Sequence, residues 1–108
     1  MSDLFADMDV ISVYTVDDGI QDGMLVKVLE HRWPELSGGK PIIMTSHIAN
    51  EFSMAGVMEM WNEYVMWNRE SKPYLPAEDQ MFATKMNNQT VWIIEDGAAH
   101  TIMFPEDY

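Results

Sequence analysis

The chain predicts an α+β fold, a single small domain over residues 1–108 in which an antiparallel sheet packs against a central long helix. Short β-branched and aromatic runs stand towards both ends of the chain, and a long amphipathic helical pattern lies between them. The length, 108 residues, sits near the mode for one hydrophobic core and leaves no room for a second folding unit. At 47% hydrophobic and 11% aromatic residues, the composition is that of a folding chain and not of a disordered one.

Taken in order, Val10-Ile11-Ser12-Val13-Tyr14 predicts a strand, and Thr15-Val16-Asp17-Asp18 caps a short helical turn that Gly23 ends. Met24 to Leu29 reads as a second strand or extended core segment, and Pro34 with Ser37-Gly38-Gly39-Lys40-Pro41 marks a loop. Ile42-Ile43-Met44 is a short buried strand or a lead into the next helix. From Thr45 or Ser46 a helical pattern runs to about Arg69, with a break near Ser53, which can cap a second helix. On that helix Met54, Val57, Met58, Met60, Trp61, Tyr64, Val65 and Trp67 occupy an arc of about 180°, wider than the roughly 100° of one-sided packing. Either two layers cover the arc, or part of it meets a partner. Glu59, Glu63 and Glu70 gather on the opposite side. After Pro73 and Pro76, the runs 81–86, 90–94 and 100–104 predict an antiparallel meander with turns at Asn87-Asn88-Gln89 and Asp96-Gly97.

Charge is the most unusual property of the sequence. Eighteen Asp and Glu oppose six Lys and Arg, a formal net charge of −12. Residues 1–22 hold six Asp and no cation, residues 23–77 are nearly neutral, and residues 78–108 hold six carboxylates against Lys85 alone. Direct binding to nucleic acid or to an anionic membrane is disfavoured, because it needs Lys and Arg to displace counterions from phosphates. A basic partner is favoured. The chain has no Cys, which excludes disulfides, thiol catalysis and Cys-based metal sites. No apolar run approaches the roughly 18 residues of a membrane span, and the acidic start, Met1 to Asp7, does not read as a signal peptide. The expected location is the cytoplasm.

Motifs for catalysis or cofactor binding are weak. His31, His47 and His100 are scattered with no second His at i+3 or i+4, and there is no Gly-x-Ser-x-Gly elbow. Asp7-Met8-Asp9 and Asp17-Asp18 lack the loop pattern of an EF-hand, and Ser37-Gly38-Gly39-Lys40 lacks the full phosphate-loop pattern. No cofactor and no resident metal are expected.

Val10-Ile11-Ser12-Val13-Tyr14-Thr15, with Asp18-Gly19-Ile20-Gln21-Asp22-Gly23-Met24-Leu25-Val26-Lys27-Val28, resembles the opening of a small uncharacterised domain family of bacterial plasmids, phages and other mobile elements. The closing Thr101-Ile102-Met103-Phe104-Pro105-Glu106-Asp107 is similar to that family's terminal motif. The resemblance covers about a quarter of the chain, and the middle is shorter than the family pattern. It implies a genomic context and carries no catalytic residue.

These readings converge on a non-enzymatic inhibitor that imitates the charge of DNA. A domain of this length presents a face of about 30 Å, along which duplex DNA carries roughly 18 phosphate charges, the same order as the total charge of the chain. The expected partner is a basic protein surface, on a nuclease, CRISPR effector or restriction complex. The expected contacts are Asp3, Asp7, Asp9, Asp17, Asp18, Asp22, Glu59, Glu63, Glu70, Glu95, Asp96, Glu106 and Asp107, converging into one patch. The alternative is a protein-interaction module that binds through the Met and Trp face, centred on Met60 and Trp67. A third form, an enzyme with a metal held by His100, Glu95 and Asp96, is the least favoured.

Overall fold

The computed structural model describes residues 19–20 and 22–108. The strand expected at Val10–Tyr14, the cap at Thr15 and the carboxylates Asp3, Asp7, Asp9, Asp17 and Asp18 lie outside them.

The chain order is β1 (Leu25–Lys27), a 3-10 turn (Glu30–Arg32), α1 (Trp33–Ser37), β2 (Ile42–Thr45), α2 (Ser46–Glu51) and α3 (Met54–Glu70). Two further 3-10 turns (Lys72–Tyr74, Ala77–Asp79) lead to β3 (Phe82–Met86), β4 (Gln89–Glu95), β5 (His100–Met103) and a last turn (Pro105–Asp107). Most of these elements have a local cause. Thr45 caps α2 by accepting from the Ile48 N–H at 3.3 Å, and Ser53 caps α3 by accepting from the Gly56 N–H at 3.2 Å. Between the caps Phe52 is extended, so the helical pattern breaks where Ser53 predicts it. Asn87 and Asn88 both adopt positive φ (55° and 65°), the conformation that joins two strands with a two-residue turn. Pro34 corrects the sequence reading: it sits in the first turn of α1 and not in a loop, because its missing N–H has no helical acceptor there. Gly38, at φ 70°, then ends α1 in the left-handed conformation.

The five strands form one sheet in the order β1-β2-β5-β4-β3. The α+β class holds, and the C-terminal meander is antiparallel as expected. The sheet as a whole is mixed, however, because β2 lies parallel to β5, with Ile42 opposite His100 and Met44 opposite Ile102. A parallel neighbour requires a long crossover, and residues 46–99, carrying α2, α3 and the β3–β4 hairpin, supply it. β2 therefore joins the meander to β1.

One face of the sheet carries Ile42, Met44, Phe82, Val91, Ile93 and Ile102, and α3 covers it with Val57, Met60, Trp61 and Tyr64. Each such side chain, fully buried, contributes about 1.5–3 kcal/mol of transfer free energy. On the other face Ile43 is buried, and Trp92, Ile94, Thr101 and Met103 are half-buried. No helix among the described residues is long and apolar enough to cross a membrane.

Candidate functional site: an acidic flank beside the edge strand

The buried residues of α3 span an arc of about 100°, and Glu59, Glu63 and Glu70 lie within about 40° of one another, turned some 130° from its centre. Their position relative to the sheet is fixed by contacts. The Thr84 hydroxyl of edge strand β3 donates to Glu63 Oε1 at 2.7 Å. Tyr64 and Trp67 pack their rings on Phe82, at 5.5 and 5.6 Å, so β3 runs antiparallel to the helix beneath it. At the hairpin end of β3, Gln89 donates to Glu51 at 3.5 Å. At its other end the turn Ala77–Asp79 places the exposed Glu78 and Asp79 just before the strand. The strip Glu59, Glu63 and Glu70 thus runs alongside β3, with Glu51 near its hairpin end and Glu78 and Asp79 in the turn that precedes the strand.

Few cations oppose this flank. Arg69 pairs with Glu70 at 3.3 Å, but both side chains are more than half exposed, so water weakens the pair. Lys72 lies 6.0 Å from the Trp67 ring, and Lys85 is the cation of β3 itself. Glu51, Glu78 and Asp79 escaped the sequence reading. The adjacent Glu78-Asp79 pair between Pro76 and the β3 run was the available signal, and the place of Glu51 depends on a contact with Gln89 that local sequence does not contain.

The remaining expected contacts lie elsewhere. Asp22 is exposed in the turn before β1, at the opposite edge of the sheet. At that edge Met24 and Leu25 line a cavity of about 370 Å³ together with His47, Glu106 and Asp107. Asp107 is engaged by its own chain. It accepts from the Thr45 hydroxyl (2.9 Å), from His47 Nδ1–H (3.2 Å) and from the Phe104 N–H (3.2 Å). Burial alone would raise its pKa, but the hydrogen bonds from Thr45, His47 and Phe104 outweigh burial and hold it below the usual value.

Glu95 and Asp96 occupy a third place, the corner between β4 and β5. Glu95 accepts from Lys40 at 3.0 Å, and that hydrogen bond is the main reason its pKa is lowered. Asp96 holds its own turn through the N–H groups of Ala98 and Ala99 at 2.7 and 3.0 Å. The described carboxylates therefore do not converge into one patch, and the α3 strip with its β3 neighbours is the group the fold brings together.

The Met and Trp face of the alternative reading is also redistributed. Met60, at 0% exposure, and Trp61, at 3%, belong to the core, and Trp67 is half-buried. Met60 cannot serve as a contact, because the sheet covers it. On α3 the exposed large apolar side chains are Met54, Val65 and Met66. For the metal reading, His100 is buried beside Glu95 in the ladder and its Nδ1 is 3.0 Å from the Tyr64 hydroxyl. Among the described residues no group of three or more His, Asp or Glu side chains is placed to hold a metal ion.

No family model matches the chain, and neither a curated protein nor a solved structure does so.

Proposed function

We propose that this chain is a non-enzymatic protein ligand that occupies a cationic, DNA-binding groove on a partner, acting from the bacterial cytoplasm as a mimic of nucleic acid charge. The observation that carries this reading is the acidic strip Glu59, Glu63 and Glu70 of α3, which runs alongside β3. From Glu59 to Glu70 the helix rises about 16 Å. One strand of duplex DNA carries about five phosphates over that length. The strip sets three carboxylates, Glu59, Glu63 and Glu70, against those five phosphates, a charge density of the same order, which a groove lined with Lys and Arg attracts.

The choice of partner rests on the resemblance of both ends of the chain to a mobile-element family. It favours a host defence complex, of the CRISPR or restriction type, as the owner of the groove. The test is competition: the chain is added to such an effector bound to labelled duplex DNA, and release of the DNA is followed. Wild type should release DNA, and Glu59→Lys with Glu63→Lys should not. Release by the double variant as efficient as by wild type would overturn the proposal, as would no release by wild type from either class of complex.

A second reading draws on Met66, which is 51% exposed at the centre of the outward face of α3. An adaptable Met beside carboxylates suits a protein interface. Binding lost with Met66→Ala but kept by the Glu59/Glu63 variant would favour it.

A further inference from the structure

β3 is an edge of the sheet, and the hairpin that holds it fixes which of its backbone groups are free. The two-residue turn at Asn87 and Asn88 makes Met86 and Gln89 the first hydrogen-bonded pair of the ladder. Alternation then commits the N–H and C=O of Thr84, opposite Val91, and of Phe82, opposite Ile93, to β4. The same groups of Ala83 and Lys85 point outwards. Both residues are exposed, and no described residue pairs with that edge. The edge therefore presents donors and acceptors at the spacing of a strand.

The side chains of β3 alternate between the two faces of the sheet. Phe82 and Met86 pack in or against the core and Thr84 meets Glu63, so these three face α3, and Ala83 and Lys85 lie on the other face. A strand laid on the edge brings every second side chain beside the acidic strip. The spacings agree, since Glu59 and Glu63 are about 6 Å apart along the helix axis and alternate side chains of a strand are about 6.8 Å apart. With Thr84 beside Glu63 and the helix antiparallel to β3, a side chain opposite Thr84 falls near Glu63 and one opposite Met86 falls near Glu59. Both carboxylates are exposed, and neither forms a salt bridge among the described residues.

We infer that the open edge of β3 takes up an extended basic segment of the partner protein as an added antiparallel strand, with Lys or Arg at every second position beside Glu59 and Glu63. This pairing rests on the acidic strip being the recognition surface, as proposed above, and specifies what is recognised: an extended polypeptide backbone with alternating cations, and not cationic charge alone. A second copy of the chain does not suit the edge, because pairing two β3 strands would bring two acidic strips together on chains of net charge −12.

The probes are a peptide of about eight residues that alternates Lys and Thr, and an isomer of the same composition with Lys and Thr in separate blocks, titrated into the full chain. Hydrogen exchange of the Ala83 and Lys85 amides is the readout. Both amides should exchange freely in the unbound chain and become protected by the alternating peptide, which should bind at least about tenfold more tightly than its isomer. In antiparallel pairing the Thr nitrogens of the peptide face β3 and the Lys nitrogens face away. Methylating the former should weaken binding at least about tenfold, and methylating the latter should leave it nearly unaltered. On the chain, Ala83→Pro removes an outward donor that β4 does not use and should abolish binding. Should Ala83→Pro not fold, the methylated peptides test the same bonds without altering the chain. Equal binding of the two isomers, equal effects of the two methylations, no protection of the two amides on binding, or amides already protected in the free chain by itself or by a second copy would each overturn the inference. DNA competition reads charge and not strand pairing, so release of DNA with no discrimination between the isomers would remove the added strand and leave the charge reading standing.

Discussion

Replacing Asp107 separates a structural carboxylate from a recognition one. In Asp107→Ala the Thr45 hydroxyl, the His47 Nδ1–H and the Phe104 N–H lose their acceptor together. A hydrogen bond to a charged group is worth about 1.5–3 kcal/mol, but the three share one carboxylate and do not add. The side chain of His47 is 44% exposed and that of Asp107 only 18%, so the His47 bond contributes least. The bonds to Thr45 and Phe104 together set the loss at about 2–3 kcal/mol. Thr45 is also the cap of α2, so part of the loss appears as fraying of that helix. For a domain of this size the melting temperature should fall by about 10–20 °C. Urea unfolding at pH 7, followed by tryptophan fluorescence, measures the difference directly. Because the folded Asp107 pKa lies below its unfolded value of 3.8, the stabilisation is complete above that value and is lost as pH falls through the folded pKa. The acid limb of the wild-type stability curve should therefore be steeper than that of Asp107→Asn. A loss under about 0.5 kcal/mol for Asp107→Ala would refute the clasp and return Asp107 to the pool of free surface charges.

Tyr64→Phe removes the partner of His100 Nδ1 and should cost about 1–3 kcal/mol in the same assay, since the nitrogen is left buried and unpaired. Burial lowers the folded His100 pKa below its unfolded value of 6.5, so below that pH the unfolded chain takes up the proton first. Wild-type stability should fall as pH drops from 6.5 towards the folded pKa, and His100→Gln should flatten that segment of the curve. Met60→Ala should cost about 2–5 kcal/mol as a core truncation, whereas Met66→Ala on the outward face of the same helix should stay within about 0.5 kcal/mol. Equal costs would show that the helix packs through a different face.

Local chemistry made much of the fold legible. Thr45 and Ser53 are strong caps and marked both helix starts, Asn87-Asn88 marked the hairpin, and the β-branched runs of β4 and β5 marked the strands. Pro34 misled because the same residue that breaks a helix interior is favoured in a first turn, and a five-residue helix leaves little periodicity to detect. The parallel pairing of β2 with β5 is a contact between residues such as Ile42 and His100, and no nearby residue encodes it. The site divides in the same way. Helical spacing put Glu59, Glu63 and Glu70 on one face, and the fold adds Glu51, Glu78 and Asp79 to them through tertiary placement. Asp107 looked like a solvated terminal charge because its partners Thr45 and His47 are far away in sequence. His100 and Tyr64 meet only through packing of α3 on β5, and neither stands in a motif.

If the flank along α3 and β3, and not net charge in general, makes the chain a ligand for a cationic groove, neutralising the flank weakens binding more than neutralising charge elsewhere. Affinity for a DNA-binding effector, compared between Glu59→Gln/Glu63→Gln and a control of equal charge change, Asp22→Asn/Glu106→Gln, tests it most directly at two salt concentrations. Wild-type and control affinities should fall at least about tenfold between about 50 and 200 mM salt, and the flank variant should bind weakly at both. Equal weakening by the two variants, or affinity indifferent to salt, would contradict it.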